Sequence, residues 1–184
     1  IPLPVGGLVD NVIPDHALKL LAAFISDGKN RNAKGRPWSI DFEVSKERKI
    51  AALMALGPAH VYTQKRVYGR LTKTPLTVLR FLLPEFFAAV FEDYKVLRRD
   101  FVNSLSARQA VVFLDAYLQF DGNGAGDLYT SSERMRDDLI QIAIFAGYAP
   151  SVTSRYSRLS SRESWTIRLG KGKAHTAIAM LVTL

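Results

Sequence analysis

The chain has 184 residues, with 25 Lys and Arg against 17 Asp and Glu, three histidines, no cysteine and a formal net charge of +8. Its length and its 48% hydrophobic content suit a globular protein with its own core. The missing cysteines exclude a disulfide scaffold, a cysteine-ligated zinc site and thiol catalysis, and His16, His60 and His175 are too scattered for a histidine-rich metal site.

In chain order, the first clear element runs from Asp15 to Asp27. Pro14-Asp15 supplies its start, Gly28 its stop, and Lys19 is the only charge inside it. A helix this apolar should be buried. Residues 38–44 alternate strictly and predict a strand whose polar face carries Asp41 and Glu43. Ser45 caps a helix over 46–56 that Gly57 closes, and 60–68 and 77–81 read as strands. The connector 84–100 is predicted helical over 85–94.

A second apolar helix then starts at Ser106 and ends at Asp121-Gly122. After it come a short strand over 128–130, a helix capped by Ser131 or Ser132 and closed by Gly147, and strands over 148–156 and 164–169. Each half therefore reads α-β-β-α-β-β, an internal duplication. The expected fold is α+β, with related halves at 1–92 and 93–184 packed as one body.

Aspartate is the wrong residue for a helix C-terminus, where the last carbonyls already carry partial negative charge. Asp-Gly is also a common turn, so two ordinary turns are one explanation. The other is a divalent cation accepting oxygen ligands from Asp27 and Asp121. If the two helices pack side by side, with Ala22, Ala23 and Ala116 allowing close approach, both acids emerge together as a phosphodiester-cleaving metal site. Charge agrees with a nucleic acid partner. There are 13 basic and 8 acidic residues in 1–92, then 12 and 9 in 93–184, so the excess is spread along the molecule.

Leu20-Leu-Ala-Ala-Phe-Ile-Ser-Asp-Gly28 and Leu114-Asp-Ala-Tyr-Leu-Gln-Phe-Asp-Gly122 resemble the two motifs of double-motif LAGLIDADG homing endonucleases. The segment from Tyr129 through Leu139, followed by Phe145-Ala-Gly-Tyr148, is similar to what these proteins carry after their second motif. Asp41-Phe-Glu-Val-Ser-Lys46 is its weaker counterpart after the first. The likeness covers about residues 15–169.

The resemblance implies a monomer with pseudo-twofold symmetry, motif helices at the centre, and antiparallel sheets forming a saddle over double-stranded DNA with helices on their outer faces. It implies a long asymmetric target site and Mg²⁺ (with Mn²⁺ or Ca²⁺ as substitutes) held by Asp27 and Asp121. Ser26 and Phe120 are placed to offer main-chain carbonyls beside them. Lys95 occupies the position of a charge-stabilising lysine, and Lys171 or Lys173 stands for a second one. DNA contacts are expected from Gln64, Lys65, Arg66, Arg70, Arg155, Arg158, Arg168 and Lys173, with Tyr62, Tyr68 and Arg162 as further candidates.

Asp115 and Phe120 depart from the motif's small residues. Phe120 is expected to push the helices apart or turn outward, and a buried Asp115 would need a partner such as Gln119. Asp41 and Glu43 are expected to repel phosphate unless they meet base amino groups. The alternatives are a DNA-binding protein of the same fold without cleavage, and an intron RNA maturase.

Apolar runs such as 20–25 and 142–145 are too short to span a bilayer. No secretory signal is visible and the first residue is Ile1, so an intracellular domain cut from a longer chain is expected. That means the cytoplasm in bacterial, phage or archaeal hosts, and an organelle or the nucleus in eukaryotes. No splicing residues stand at Ile1-Pro2 or Val182-Thr-Leu184, which leaves an intein insert, an intron-encoded enzyme and a free-standing enzyme open.

Overall fold

A computed structural model describes residues 9–30, 39–64, 75–82, 86–157 and 162–170. Two long apolar helices, α1 (Asp15–Asp27) and α5 (Ala107–Asp121), form its centre. The first starts at Pro14 without a side-chain cap, and Asp15 lies in its first turn rather than at the cap. The second starts in a capping box: Ser106 accepts from the Gln109 backbone, and the Gln109 side chain accepts from the Ser106 backbone.

Gln109 also fastens the two helix starts together. Its Oε1 accepts from the Asn11 N–H at 2.8 Å, and its Nε2 donates to the carbonyls of Asn11 and Ile13. Arg108 bridges to Asp10 and Asp15 on the rim. The helices therefore lie side by side with their N-termini joined, and their C-termini meet at the opposite end. Ala22, Ala23 and Ala110 are fully buried in this contact layer, and Ala116 nearly so.

The first sheet has order β1-β2-β4-β3, all antiparallel, from β1 (Gly28–Asn30), β2 (Ser39–Val44), β3 (His60–Gln64) and β4 (Leu76–Leu82). The second has order β7-β9-β8, also antiparallel, from β7 (Asp127–Thr130), β8 (Ala149–Ser157) and β9 (Arg162–Gly170). Helices α2 (Glu47–Met54) and α6 (Glu133–Phe145) follow β2 and β7. Ile40, Phe42, Leu79 and Phe81 point to the core from the first sheet, and Leu128 and Ile167 from the second.

The first half thus has the predicted α-β-β-α-β-β order. In the second, a single bridge between Gly122 and Leu128 stands where β1 pairs with β2, so one strand fewer forms. The predicted Ser45 cap is replaced by Lys46, which makes no side-chain cap bond, while Ser132 caps α6.

The connector departs furthest from expectation. In place of a helix over 85–94 it folds as a short α3 (Phe86–Ala89), a hairpin of β5 (Phe91–Asp93) and β6 (Val96–Leu97), then α4 (Arg99–Ser104). Phe87 and Phe91 pack edge-on or tilted against Phe24 of α1 and each other, and Lys95 turns the hairpin at φ 57°. Aromatic anchoring to α1 overrides the local helical pattern. Among the described residues, no helix is long and apolar enough to cross a membrane.

Candidate active site

Asp27 and Asp121 are the last residues of α1 and α5, and they come together because the helices run in parallel from tied starts. The glycine after each acid makes this possible for a steric reason. Gly28 and Gly122 are extended, with φ −71° and −130°, so neither is the left-handed stop expected at a helix end. What they lack is space: a Cβ on Gly28 would stand 2.8 Å from Phe24 Cα, and one on Gly122 would stand 2.7 Å from Leu118 Cα. The left-handed stops are Gly57 and Gly147, at φ 73° and 83°.

The two acids repel each other. Burial, then the Asp27 charge, push the Asp121 carboxyl above the ordinary range, while Lys49, Lys95 and Lys46 act in the opposite direction. Asp27 has a direct partner. Lys49 on α2 donates to its Oδ2, and the same ammonium sits 6.0 Å from the Phe120 ring centre. Lys49 is nearly buried, and its contact with Asp27 was not legible from the sequence, where 46–56 reads only as a helix after the first strand. The signal it offers, a lysine on the buried face of a short helix after the first motif, is recognised only once the packing is known.

Lys95 sits close to the end of α1. Its Nζ donates to the Ser26 carbonyl at 3.4 Å and stands 5.5 Å from the Phe24 ring and 5.9 Å from Tyr94. Burial lowers its pKa, while Asp121 and Asp27 hold the proton on. The hairpin carrying Lys95 is braced from α6: Arg134 donates to the Leu97 carbonyl at 3.1 Å, pairs with buried Asp138 at 3.3 Å and approaches Glu92 at 3.8 Å. Below the acids, burial pushes the Tyr117 phenol well above its usual value, so it stays protonated and donates to the Tyr129 carbonyl at 3.0 Å.

Two sequence expectations, for Phe120 and for Asp41 with Glu43, are corrected, and the condition attached to Asp115 does not arise. Phe120 neither splays the helices nor turns outward; it is buried against Phe42, ring centres 6.5 Å apart, beneath Lys49. Asp115 is exposed and faces a groove it shares with Lys19, so it needs no buried partner. Asp41 is fully buried and paired with Arg80, and Glu43 pairs with Lys29 at 2.8 Å, so the acidic strand face is neutralised from within the sheet.

Gln64 shares the helix-free face of the first sheet with His60, Tyr62 and Arg80 by register. Arg155 and Arg168 share the corresponding face of the second, opposite Ser164 and Ser151. Arg168 also pairs with Asp127. Lys65, Arg66, Tyr68, Arg70, Arg158, Lys171 and Lys173 lie outside the described residues, as does the side chain of Arg162.

No protein-family sequence model and no curated protein sequence matches the chain. Solved structures do match, and the structural neighbours include the LAGLIDADG homing endonucleases I-DmoI and I-WcaI. A variant of I-DmoI in complex with its target DNA in the presence of manganese is 12% identical, with TM-score 0.56 over 83% of this chain and 86% of that one. I-WcaI bound to its DNA recognition sequence is 14% identical, with TM-score 0.56 over 87% of this chain and 78% of that one. Full-length DUF199/WhiA from Thermatoga maritima is 13% identical, with TM-score 0.53 over 88% of this chain and 53% of that one. At these identities the likeness establishes a shared fold, the mixed α and antiparallel-β fold of these endonucleases.

Proposed function

We propose that this chain is a site-specific DNA endonuclease that hydrolyses one phosphodiester in each strand of a duplex, using a divalent metal. The observation that carries the reading is the meeting of Asp27 and Asp121 at the C-terminal ends of two packed apolar helices. There the helix dipoles and the neighbouring acid both oppose negative charge, and burial adds to the conflict at Asp121.

The donors fit such a metal. Carboxylate oxygens suit Mg²⁺, Mn²⁺ or Ca²⁺, and among the described residues no group of three or more His, Asp or Glu is poised to hold an ion. A two-carboxylate site matches ions that keep waters and complete their shell with a substrate phosphate. Asp27 and Asp121 would hold the metal, which when bound supplies Lewis acidity and an activated water. Lys95 adds fixed positive charge beside both acids, where charge builds on the phosphate during displacement. Lys49 holds Asp27 Oδ2 and so sets how that carboxylate presents its other oxygen. Lys171 or Lys173 is the second-half candidate for the role of Lys95.

Gln64, Arg155 and Arg168 on the helix-free sheet faces, with Lys65, Arg66, Arg70, Arg158 and Lys173, would hold a duplex. The chain would act inside the cell as a monomer of two related halves, 1–92 and 93–184. Support comes from the fold shared with I-DmoI, solved with DNA and manganese or calcium, and with a variant of it solved with its target DNA in the presence of magnesium.

The test is cleavage of supercoiled DNA carrying the native insertion site, with Mg²⁺ and then with EDTA. Asp27→Asn and Asp121→Asn are expected to abolish cutting and retain binding; unchanged cutting in either variant would sink the site. A second reading, DNA binding without cleavage, is favoured by one observation: Lys49 already neutralises Asp27. Tight site-specific binding with no cutting under any of the three metals would select it.

A further inference from the structure

Each sheet carries one arginine directly across the strand ladder from one aspartate. Arg80 of β4 is opposite Asp41 of β2, and Arg168 of β9 is opposite Asp127 of β7. The two pairs hold the same place relative to the motif acids. In each half the paired aspartate immediately precedes the residue that the post-motif glycine opposes, Phe42 for Gly28 and Leu128 for Gly122.

The docking geometry is also the same. Arg80 donates through Nε to Asp41 Oδ1 at 2.7 Å and through Nη2 to Asp41 Oδ2 at 2.8 Å. Arg168 donates through Nε to Asp127 Oδ1 at 2.8 Å and through Nη2 to Asp127 Oδ2 at 3.4 Å. The acids are covered, at 0% and 8% side-chain exposure, and the arginine side chains are the more exposed partners, at 34% and 67%. Both pairs stand on the sheet faces that carry no helix.

This arrangement leaves a particular set of donors. A guanidinium docked along its Nε–Nη2 edge keeps Nη1 and the second Nη2 hydrogen for an outside partner. Those two donors are parallel and fixed in plane, which matches the O6 and N7 acceptors of guanine in the major groove. Neither arginine has another hydrogen-bond acceptor among the described residues. The brace also argues against phosphate as the partner. Each Arg–Asp pair is close to neutral, so little counterion-release gain remains, whereas a directional donor pair loses nothing.

Resting on the DNA-binding reading above, we propose that Arg80 and Arg168 are specificity-determining residues that each read a guanine. The selected duplex then carries these guanines on opposite strands, at equivalent distances on either side of the cleavage centre. Asp41 and Asp127 act as positioning residues that hold each guanidinium in the reading plane.

The experiment is selection of bound duplexes from a random pool by the full chain, followed by affinity measurements on the selected site with each base substituted in turn. Wild type is expected to prefer guanine at the two positions by roughly 5- to 150-fold, the range of a good bidentate contact. Arg80→Gln should abolish that preference at one position and Arg168→Gln at its symmetry mate, leaving the others intact. Asp41→Asn should weaken discrimination at the Arg80 position while total affinity changes little. Because Arg168 is largely exposed, its variant carries the test even where Arg80→Gln fails to fold.

A uniform loss of affinity for every sequence would assign both arginines to phosphate and overturn the proposal. A selected site lacking the paired guanines would overturn it too. If wild type selects no duplex at all, the DNA-binding function itself fails, an outcome distinct from unchanged preferences in the variants.

Discussion

Gly28 and Gly122 show how a single atom decides where a carboxylate stands. Their backbones are extended and open to any residue, yet a methyl group at either would meet backbone atoms of the preceding helical turn. Gly28→Ala and Gly122→Ala are therefore expected to lower thermal stability by about 1–3 kcal/mol, the usual range for overpacking. Cutting should fall further than stability alone explains, because the adjacent acid must move. Alanine variants that cut at the wild-type rate would show that the close approach is not needed. Asp127 supplies a pH prediction. Its hydrogen bonds from Arg168 and then Asn123 hold its carboxyl below the ordinary 3.8. The folded state thus favours the ionised form, so this contribution is complete above pH 3.8 and is lost as pH falls through the lower folded value. Asp127→Asn should flatten the acid limb of a stability–pH curve in that window, and a limb identical to wild type would contradict the pairing.

At the scale of elements, the pairing of α1 with α5 places both acids, and its tight layer is alanine. Ala22 and Ala23 were legible as small residues in an apolar run, and the structure buries both completely. Ala23→Leu is expected to cost about 1–3 kcal/mol in urea unfolding, since a packed layer cannot absorb three extra carbons. Leu114→Ala, at a fully buried position of α5, should cost about 2–5 kcal/mol by leaving a cavity. The connector is the element that sequence periodicity misassigned. Residues 85–94 have helical spacing, but Phe87 and Phe91 gain more by closing on Phe24, and the hairpin that results delivers Lys95 to the motif ends. Local pattern measures which face is apolar; it does not measure which neighbour that face will meet.

For the whole molecule the relevant quantity is charge. An excess of +8 spread over both halves, with the acids at Asp41, Glu43 and Asp127 neutralised inside the sheets, leaves a net positive surface, which under the proposed function would meet phosphate. Binding to duplex DNA should fall linearly in log–log terms with salt. The loss should be roughly 1,000-fold or more between about 50 and 200 mM if six or more phosphates are neutralised. A salt-independent affinity would argue that the basic surface does not face DNA. Metal removal belongs at this scale too. A divalent ion that binds only the folded state raises the unfolding temperature, so Mg²⁺ or Mn²⁺ should stabilise the wild type, EDTA should reverse the effect, and Asp121→Asn should respond little.

By itself the sequence determined the two apolar helices, their terminal Asp-Gly pairs, the α-β-β-α-β-β order of the first half and the excess of positive charge. These depend on local spacing, capping and composition, which are written in neighbouring residues. Only the tertiary structure decided that Lys49 meets Asp27, that Phe120 has room beside Phe42, and that Asp41 and Asp127 each pair with an arginine. Those partners are separated by 22 to 78 residues of chain, and no local periodicity records a contact set by strand register and helix packing.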